Sequence, residues 1–449
     1  MNLLLLVSYV TLFGFWAGSY FYAFDMSLNV ITTATLIIVI GSFRSLKLLA
    51  TAEEGGSAEK EIMSSKDAAQ FPIVGSAALF GLFLAFKYLD REMVNMILSV
   101  YFMFVGVFTL TGTLAPFLEV MITAKEKYGF KKTLPLIGEI DAEFTLAEFI
   151  SMVPATIFSA YYVKTKHFMM NNVLGISFCI QSIERISIGS YKIGAILLSG
   201  LFFYDIFWVF GSERVFGSNV MVTVAKNFDG PIKLLFPRAL PTADISEAVA
   251  SAIGNTNNGT MIKGAAKVCA GLVRDLGKQM VSDGGKSGLK MTIEGAKAVI
   301  TAGREGILAN KEEACGEYVN KVMQPLVSAV EGEFSLLGLG DIVIPGIFVA
   351  ILLRFDAVQA GIKGLNGADT PFSKPFFYSN IILYAAGLGV TLYVMTVFKA
   401  AQPALLYLVP ACLGASLGAA AFTGKWKALL AYDEEEAEEG KAKEDKKDK

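Results

Sequence analysis

Apolar runs of membrane length recur along this chain, near residues 3–24, 27–42, 71–89, 93–114, 147–165, 170–188, 191–211, 334–353, 376–398 and 403–423. A helix rises about 1.5 Å per residue, so about 20 apolar residues cross the hydrocarbon of a bilayer. Composition agrees: 54% of the residues are hydrophobic and 18% charged, where soluble domains carry roughly a quarter charged residues. The pattern predicts an all-α polytopic membrane protein with nine helices, or ten if the first run spans. Residues 1–24 read either as that extra span or as a secretory signal. The small residues Ala17–Ser19 suit a cleavage site, while the lack of Lys or Arg before the apolar run argues against one.

Basic residues in short loops orient such a protein. Arg44, Lys47, Lys60 and Lys66 sit before run 71–89, Lys125, Lys127, Lys131 and Lys132 after run 93–114, and Arg354, Lys363 and Lys374 between runs 334–353 and 376–398. By the span count these loops share one side. That puts them and the C-terminal tail in the cytosol and loop 212–333 across the membrane. Lys87, Arg91, Lys164 and Lys166 make the bias imperfect. The chain then divides into 1–24, a first membrane block 25–237, a polar insert 238–333, a second membrane block 334–431 and a tail 432–449. The insert has helix-period apolar positions (Ile262, Ala265, Ala266, Cys269, Leu272, Val273, Leu276), which predicts a small helical domain. The tail, acidic then basic and with no apolar residues to bury, is expected to be disordered.

Several chemistries have no residues to run them. The single histidine, His167, lies at the end of a span, and Cys179, Cys269, Cys315 and Cys412 show no CxxC spacing, so no metal site is expected. No glycine-rich phosphate loop follows a strand, and no G-x-S-x-G elbow accompanies the histidine. Neither a cofactor nor a nucleic-acid partner is called for; the surroundings are membrane lipid.

Carboxylates inside the apolar runs are the exception. A bare charge in hydrocarbon costs at least ~2.5 kcal/mol, so such residues normally have a function. Asp205 lies two-thirds of the way along run 191–211 and Asp341 a third of the way along run 334–353. The two runs are antiparallel, and each aspartate is about six or seven residues, roughly 9–10 Å, from the connecting loop. Two carboxylates at one depth can face each other, and in a low dielectric they share one proton. Depth alone fits a proton relay in a transporter or channel better than a protease. Gly338 and Gly340 could equally serve close helix packing.

The neighbouring residues shift that balance. Tyr204-Asp205 in FFYDIFWVFG, Gly338-Leu339-Gly340-Asp341 in LLGLGDIVIPGIFVA, and Gln402-Pro403-Ala404-Leu405 in AAQPALLYLVPACLG resemble the YD, GxGD and PAL motifs of the presenilin-type intramembrane aspartyl proteases. Residues 219–237, 340–356 and 402–414 look more like the signal peptide peptidase branch than presenilin itself. The resemblance spans roughly residues 27–237 and 334–423. It implies a nine-helix presenilin-like bundle, Asp205 and Asp341 as the catalytic pair, and Gln402–Leu405 as part of the active site. It also implies remnant signal peptides and type II membrane segments as substrates, in the endoplasmic reticulum membrane. A homo-oligomer and quality-control partners of that membrane stay open, as does a noncatalytic scaffold that binds helices. GSERVFGSN (211–219) and the insert depart from the compact family pattern, off the membrane.

Pro403 removes a backbone donor and discourages helix at Gln402, leaving backbone there to hold an extended substrate. Tyr204 is expected to position Asp205 by a hydrogen bond. Asn258-Gly259-Thr260 is an N-glycosylation sequon in the loop assigned to the lumen. The same loop holds Cys269 and Cys315, which either close a loop of about 45 residues, worth ~3–4 kcal/mol on the entropy account, or are small buried hydrophobes. Lys446 and Lys447 resemble a dilysine retrieval signal, which requires a cytosolic tail.

Overall fold

The computed structural model describes residues 3–53, 61–119, 121–122, 127–134, 138–228, 230–239, 333–362, 371–398 and 402–434. Each apolar run holds a helix. They are α1 (Leu3–Gly18), α2 (Met26–Glu53), α3 (Ser65–Tyr88), α4 (Arg91–Glu119), α5 (Leu146–Thr165), α6 (Phe168–Arg185) and α7 (Tyr191–Ile206), followed by short α8 (Ser212–Phe216) and α9 (Val220–Asn227). Later come α10 (Gly340–Gln359), α11 (Pro375–Phe398), α12 (Leu405–Thr423) and short α13 (Trp426–Leu430). Local chemistry sets several starts. Ser64 and Asp67 cap α3 reciprocally, Thr145 and Glu148 do the same for α5, and Ser190 Oγ accepts from Ile193 N at α7.

Seven of these helices are long and apolar enough to cross a membrane: α2 to α5, α7 with its extension to Phe216, α11 and α12. The chain is a helical, multi-pass membrane protein. Ile73 and Val74 on α3, Met96 and Phe104 on α4 and Tyr393 on α11 are exposed, which lipid tolerates because its tails are as apolar as the side chains.

The helices of the other three apolar runs differ in kind. α1 has 16 residues. α6 is the most polar, with Asn171, Asn172, Gln181, Glu184 and Arg185. α10 forms the core: 14 of its 20 residues are buried, and it packs on α6, α7, α11 and α12. Glycines permit that packing, since a methyl group at Gly194 of α7 would sit 2.9 Å from the Phe348 ring of α10.

Six short strands complete the described residues: β1 (Glu61–Met63), β2 (Lys127–Leu134), β3 (Gly138–Thr145), β4 (Ile186–Ile188), β5 (Lys233–Ala239) and β6 (Glu333–Gly338). β1 pairs parallel with β4, β2 forms an antiparallel hairpin with β3, and β5 pairs with β6. Two expectations change here. The lysine-rich connection after run 93–114 is partly the hairpin, with Tyr128 opposite Phe144. Run 334–353 begins as strand β6, not helix. Glycines at 338 and 340 weaken helix there, and Leu339 N donates instead to Ile232 O at 3.0 Å. Helix starts at Gly340, so Asp341 stands in the first turn of α10.

Two arginines counted as flanking or occupying loops lie inside helices. Arg44 of α2 is buried against Glu184 Oε2 (2.7 Å) and Gly112 O (2.7 Å). Arg354 of α10 is fully buried and reaches Glu434 Oε1 (2.6 Å), Ser45 Oγ (2.6 Å) and Ser187 Oγ (2.9 Å). The tail therefore starts ordered, contrary to its composition. Tyr432 stacks edge-on against Phe355, Asp433 bridges to Ser190, and Glu434 N donates to Gly189 O at 2.7 Å.

Gly18–Met26 and Phe236–Ser335 form a second compact unit. Within it Arg238 Nε donates to Ser335 Oγ, 2.5 Å away. Residues 240–332, with the expected helical insert, Asn258, Cys269 and Cys315, lie outside the described residues, as do 435–449 with Lys446 and Lys447.

Candidate active site

Asp205 stands one residue before the end of α7 and is 3% exposed. Just beyond it the helix widens into a π-turn, Phe207–Gly211, with Phe207 N shared between Phe203 O and Tyr204 O. Such turns are often found at functional positions. Trp208 anchors this turn to α3, its Nε1 donating to Ser76 Oγ at 3.0 Å and its ring stacking on Phe216. Upstream, Gly200 lies so close to Pro72 of α3 that a methyl group would meet Pro72 Cγ at 2.9 Å. These contacts fix where Asp205 sits.

Tyr204 has a different task from the one expected. Its ring packs into the apolar cluster of Phe83, Trp208, Val220 and Val224 and lies over Gly75 of α3. Among the described residues no hydrogen bond joins Tyr204 to Asp205, because consecutive helix residues point in different directions.

The bond that Asp205 does make runs to the third motif. Its Oδ2 accepts from Leu405 N at 3.0 Å. Gln402 and Pro403 are non-helical, Pro403 is buried, and α12 begins at Leu405. The unsatisfied amides at a helix start attract an anion, and Asp205 supplies it. Ala404 continues the turn, its carbonyl accepting from Tyr407 N and Leu408 N at 3.1 Å each. Tyr407 hydroxyl reaches Gln402 Oε1 at 3.5 Å.

Asp341 comes from the opposite direction in the chain. Leu339 seats the turn before it, packing on the cluster of Leu174 and Phe178. Gly338 makes room for the carboxylate, since a methyl group there would lie 3.3 Å from Asp341 Oδ2. Gly340 makes no such contact; its nearest neighbour would be Ile344 Cδ1 at 3.9 Å. Asp341 lies within Coulombic range of Asp205. Among the described residues neither carboxylate forms an ion pair. Three helix termini thus bring Asp205 to Leu405 and place Asp341 within Coulombic range of Asp205, with Gly338 beside Asp341, while Tyr204, Leu339 and Gly340 pack elsewhere.

One neighbour escaped the sequence reading. Tyr384 of α11 is fully buried and donates its hydroxyl to the backbone oxygen of Asp341 at 3.1 Å. The signal for it was Pro345, four residues after Asp341. Cys179 and Cys412 are buried free thiols in α6 and α12, and His167 caps α6 through Nδ1, which accepts from Met169 N.

Fold and site define a class: a multi-pass helical membrane protein whose core holds two carboxylates that pair with no cation among the described residues. Comparison narrows the class. A family profile described as signal peptide peptidase matches residues 55–254 and 317–436. The signal peptide peptidases of Homo sapiens and Mus musculus are each 31% identical over 413 residues, covering 90% of this chain and 82% of theirs. Intramembrane protease 2 of Caenorhabditis elegans is 32% identical over 306 residues, 68% of this chain and 46% of its own. No solved structure matches the chain. The chain belongs to the signal peptide peptidase family and is a membrane-embedded peptidase.

Proposed function

We propose that this chain is an intramembrane aspartyl endopeptidase in which Asp205 and Asp341 share one proton. Two carboxyls in a water-poor site cannot both ionise, so one stays an acid and one a base. The Leu405 amide supports negative charge on Asp205, which makes Asp205 the starting base and Asp341 the acid. Asp205 takes a proton from water, and the water oxygen attacks the scissile carbonyl carbon. Asp341 gives its proton to the carbonyl oxygen. The tetrahedral intermediate then expels the amine, which takes its proton from Asp205, while one hydroxyl of the intermediate gives its proton to Asp341 as the new C=O forms, so the pair again holds one proton. A helical substrate must unwind first, and the non-helical backbone at Gln402 and Pro403 suits an extended segment.

The single observation that carries this reading is the Asp205–Leu405 hydrogen bond, which joins two of the three motifs at a carboxylate within Coulombic range of Asp341. The substrates proposed are remnant signal peptides and type II membrane segments of the endoplasmic reticulum. With them goes the orientation read from charge: tail in the cytosol, loop 212–333 in the lumen. A glycan at Asn258, removed by endoglycosidase, supports that orientation, whereas digestion of the loop by cytosolic protease in sealed membranes reverses it.

The chemistry is tested with purified protein in liposomes without any ion gradient. A synthetic signal peptide should be cut, and an aspartyl transition-state analogue should block the cut. A peptide left whole counts against the protease and for a proton-coupled transporter or channel. Because the pair needs its shared proton, cleavage should fall once rising pH removes it.

A further inference from the structure

In an α-helix each carbonyl accepts from the amide four residues on. For Asp341 that residue is Pro345, which has no N–H. The carbonyl of Asp341 is therefore orphaned by the sequence itself, inside the core helix. The turn that carries it is weakly held in other ways too. α10 has no side-chain cap at Leu339, and the glycines at 338 and 340 give its entry little stiffness.

Tyr384 supplies the missing donor. Its hydroxyl lies 3.1 Å from Asp341 O, and the residue is 0% exposed, so no water competes from outside. α11 itself is seated firmly, since Gly387, one turn beyond Tyr384, approaches α12 so closely that a methyl group would lie 3.1 Å from Ala411 Cβ. α12 in turn carries the Leu405 amide that holds Asp205. One rigid pair of helices thus holds both aspartates, Asp205 by its side chain and Asp341 by its backbone.

Resting on the protease reading above, we propose that Tyr384 is a positioning residue of the catalytic pair: its hydroxyl replaces the helix bond that Pro345 withholds and aims Asp341 at Asp205. A phenylalanine would fill the same space and leave the carbonyl unpaired. The aspartate would then wander, and a misplacement of about 1 Å in a reacting group costs up to about a hundredfold in rate.

Pro345 provides a test that a merely space-filling tyrosine would not pass. Tyr384→Phe, Pro345→Ala and the double variant are compared in full-length protein for kcat and KM on a synthetic signal peptide, and for thermal midpoint. Tyr384→Phe should lower kcat about ten- to a hundredfold at unchanged KM. Pro345→Ala restores an amide at position 345, so in the Tyr384→Phe background it should recover most of the lost kcat, and the two midpoints should be non-additive. A Tyr384→Phe protein with wild-type kcat overturns the proposal, and so does a defect that Pro345→Ala leaves untouched. A wild type that never cuts the peptide sinks the protease reading instead. In that case coupled midpoints still support the hydrogen bond as the tie between α11 and Asp341, and additive midpoints refute it.

Discussion

Asp205 and Asp356 look alike in burial and in the helix amide that each accepts. Each is 3% exposed, and each accepts a backbone amide two residues past a proline at or just before a helix start. Asp205 Oδ2 takes Leu405 N at 3.0 Å, two residues past Pro403. Asp356 Oδ2 takes Phe377 N at 2.9 Å, two residues past Pro375. The difference is in the next shell of charge. Asp356 has Lys374 and Lys425 within Coulombic range, whereas Asp205 has Asp341. Two backbone amides and two lysines favour the charged form of Asp356 against its burial, and its carboxyl caps α11. On the proposed reading, a carboxylate whose charged neighbour among the described residues is another carboxylate shares a proton with it, and a shared proton can be used. Burial alone does not separate a structural aspartate from a chemical one; its neighbours do.

Swapping each carboxyl for its neutral isostere should split the pair most sharply. Asp205→Asn keeps an acceptor for Leu405 N but cannot take a proton, so cleavage should fall on the order of a thousandfold or more, with the thermal midpoint little changed. Asp341→Asn should do the same. Asp356→Asn should cut normally and lose about 1–2 kcal/mol of stability, the worth of a charge-assisted cap. Peptide cleavage and denaturation of the same preparations give both readings. If Asp356→Asn is the inactive protein and Asp205→Asn the unstable one, the assignment is backwards.

Arg354 and Glu434 extend the comparison to full neutralisation. Arg354 is 0% exposed and gives its three nitrogens to Glu434, Ser45 and Ser187. Arg354→Ala should cost about 3–5 kcal/mol, because it strands a buried glutamate. Arg354→Met combined with Glu434→Leu should recover most of that. A stable single variant would mean that Glu434 leaves the core when its partner is gone, and protease sensitivity after Tyr432 would reveal it.

The sequence made some of this legible. Apolar runs of membrane length located all seven helices long and apolar enough to cross a membrane, because hydrocarbon permits few alternatives, and Asp205 and Asp341 stood out as charges within the runs. What failed was information held between distant residues. Glu434 lies 80 positions from Arg354, and in an acidic tail it reads as one more solvated charge. Leu336 and Leu337 read as membrane because they are apolar, yet they lie in strand β6, and the two glycines after them were the better signal. Asp205 meeting Leu405 spans 200 positions, so no spacing rule reaches it. Tyr204 was given a hydrogen bond that its direction on the helix rules out.

The two prolines sharpen the comparison at smaller amplitude. Pro403→Ala should lower turnover several-fold, because helix can then propagate back toward Gln402 and cover the backbone proposed to receive substrate. Pro375→Ala should change turnover little and stability by under about 1 kcal/mol, since proline at a helix start is favoured but replaceable. Equal effects on cleavage would remove any special role for the backbone before α12.

The glycines flanking Leu339 give the smallest and most local contrast. A methyl group at Gly338 would sit 3.3 Å from Asp341 Oδ2, while one at Gly340 would find only Ile344 Cδ1 at 3.9 Å. The first contact is tight enough that the carboxylate must move by a few tenths of an ångström, and the second is ordinary van der Waals distance. Neither glycine has a positive φ, so alanine brings no backbone strain at either position, and the two variants differ only in what the methyl group touches. Gly340→Ala should keep wild-type turnover and gain up to about 1 kcal/mol, as alanine restricts the unfolded chain and favours helix. Gly338→Ala should lose a few-fold in kcat at unchanged KM, because it pushes on the acid without touching substrate. Were Gly340→Ala the slower enzyme, the space around Asp341 would have to be set by the turn of α10 itself and not by the residue that borders its carboxyl.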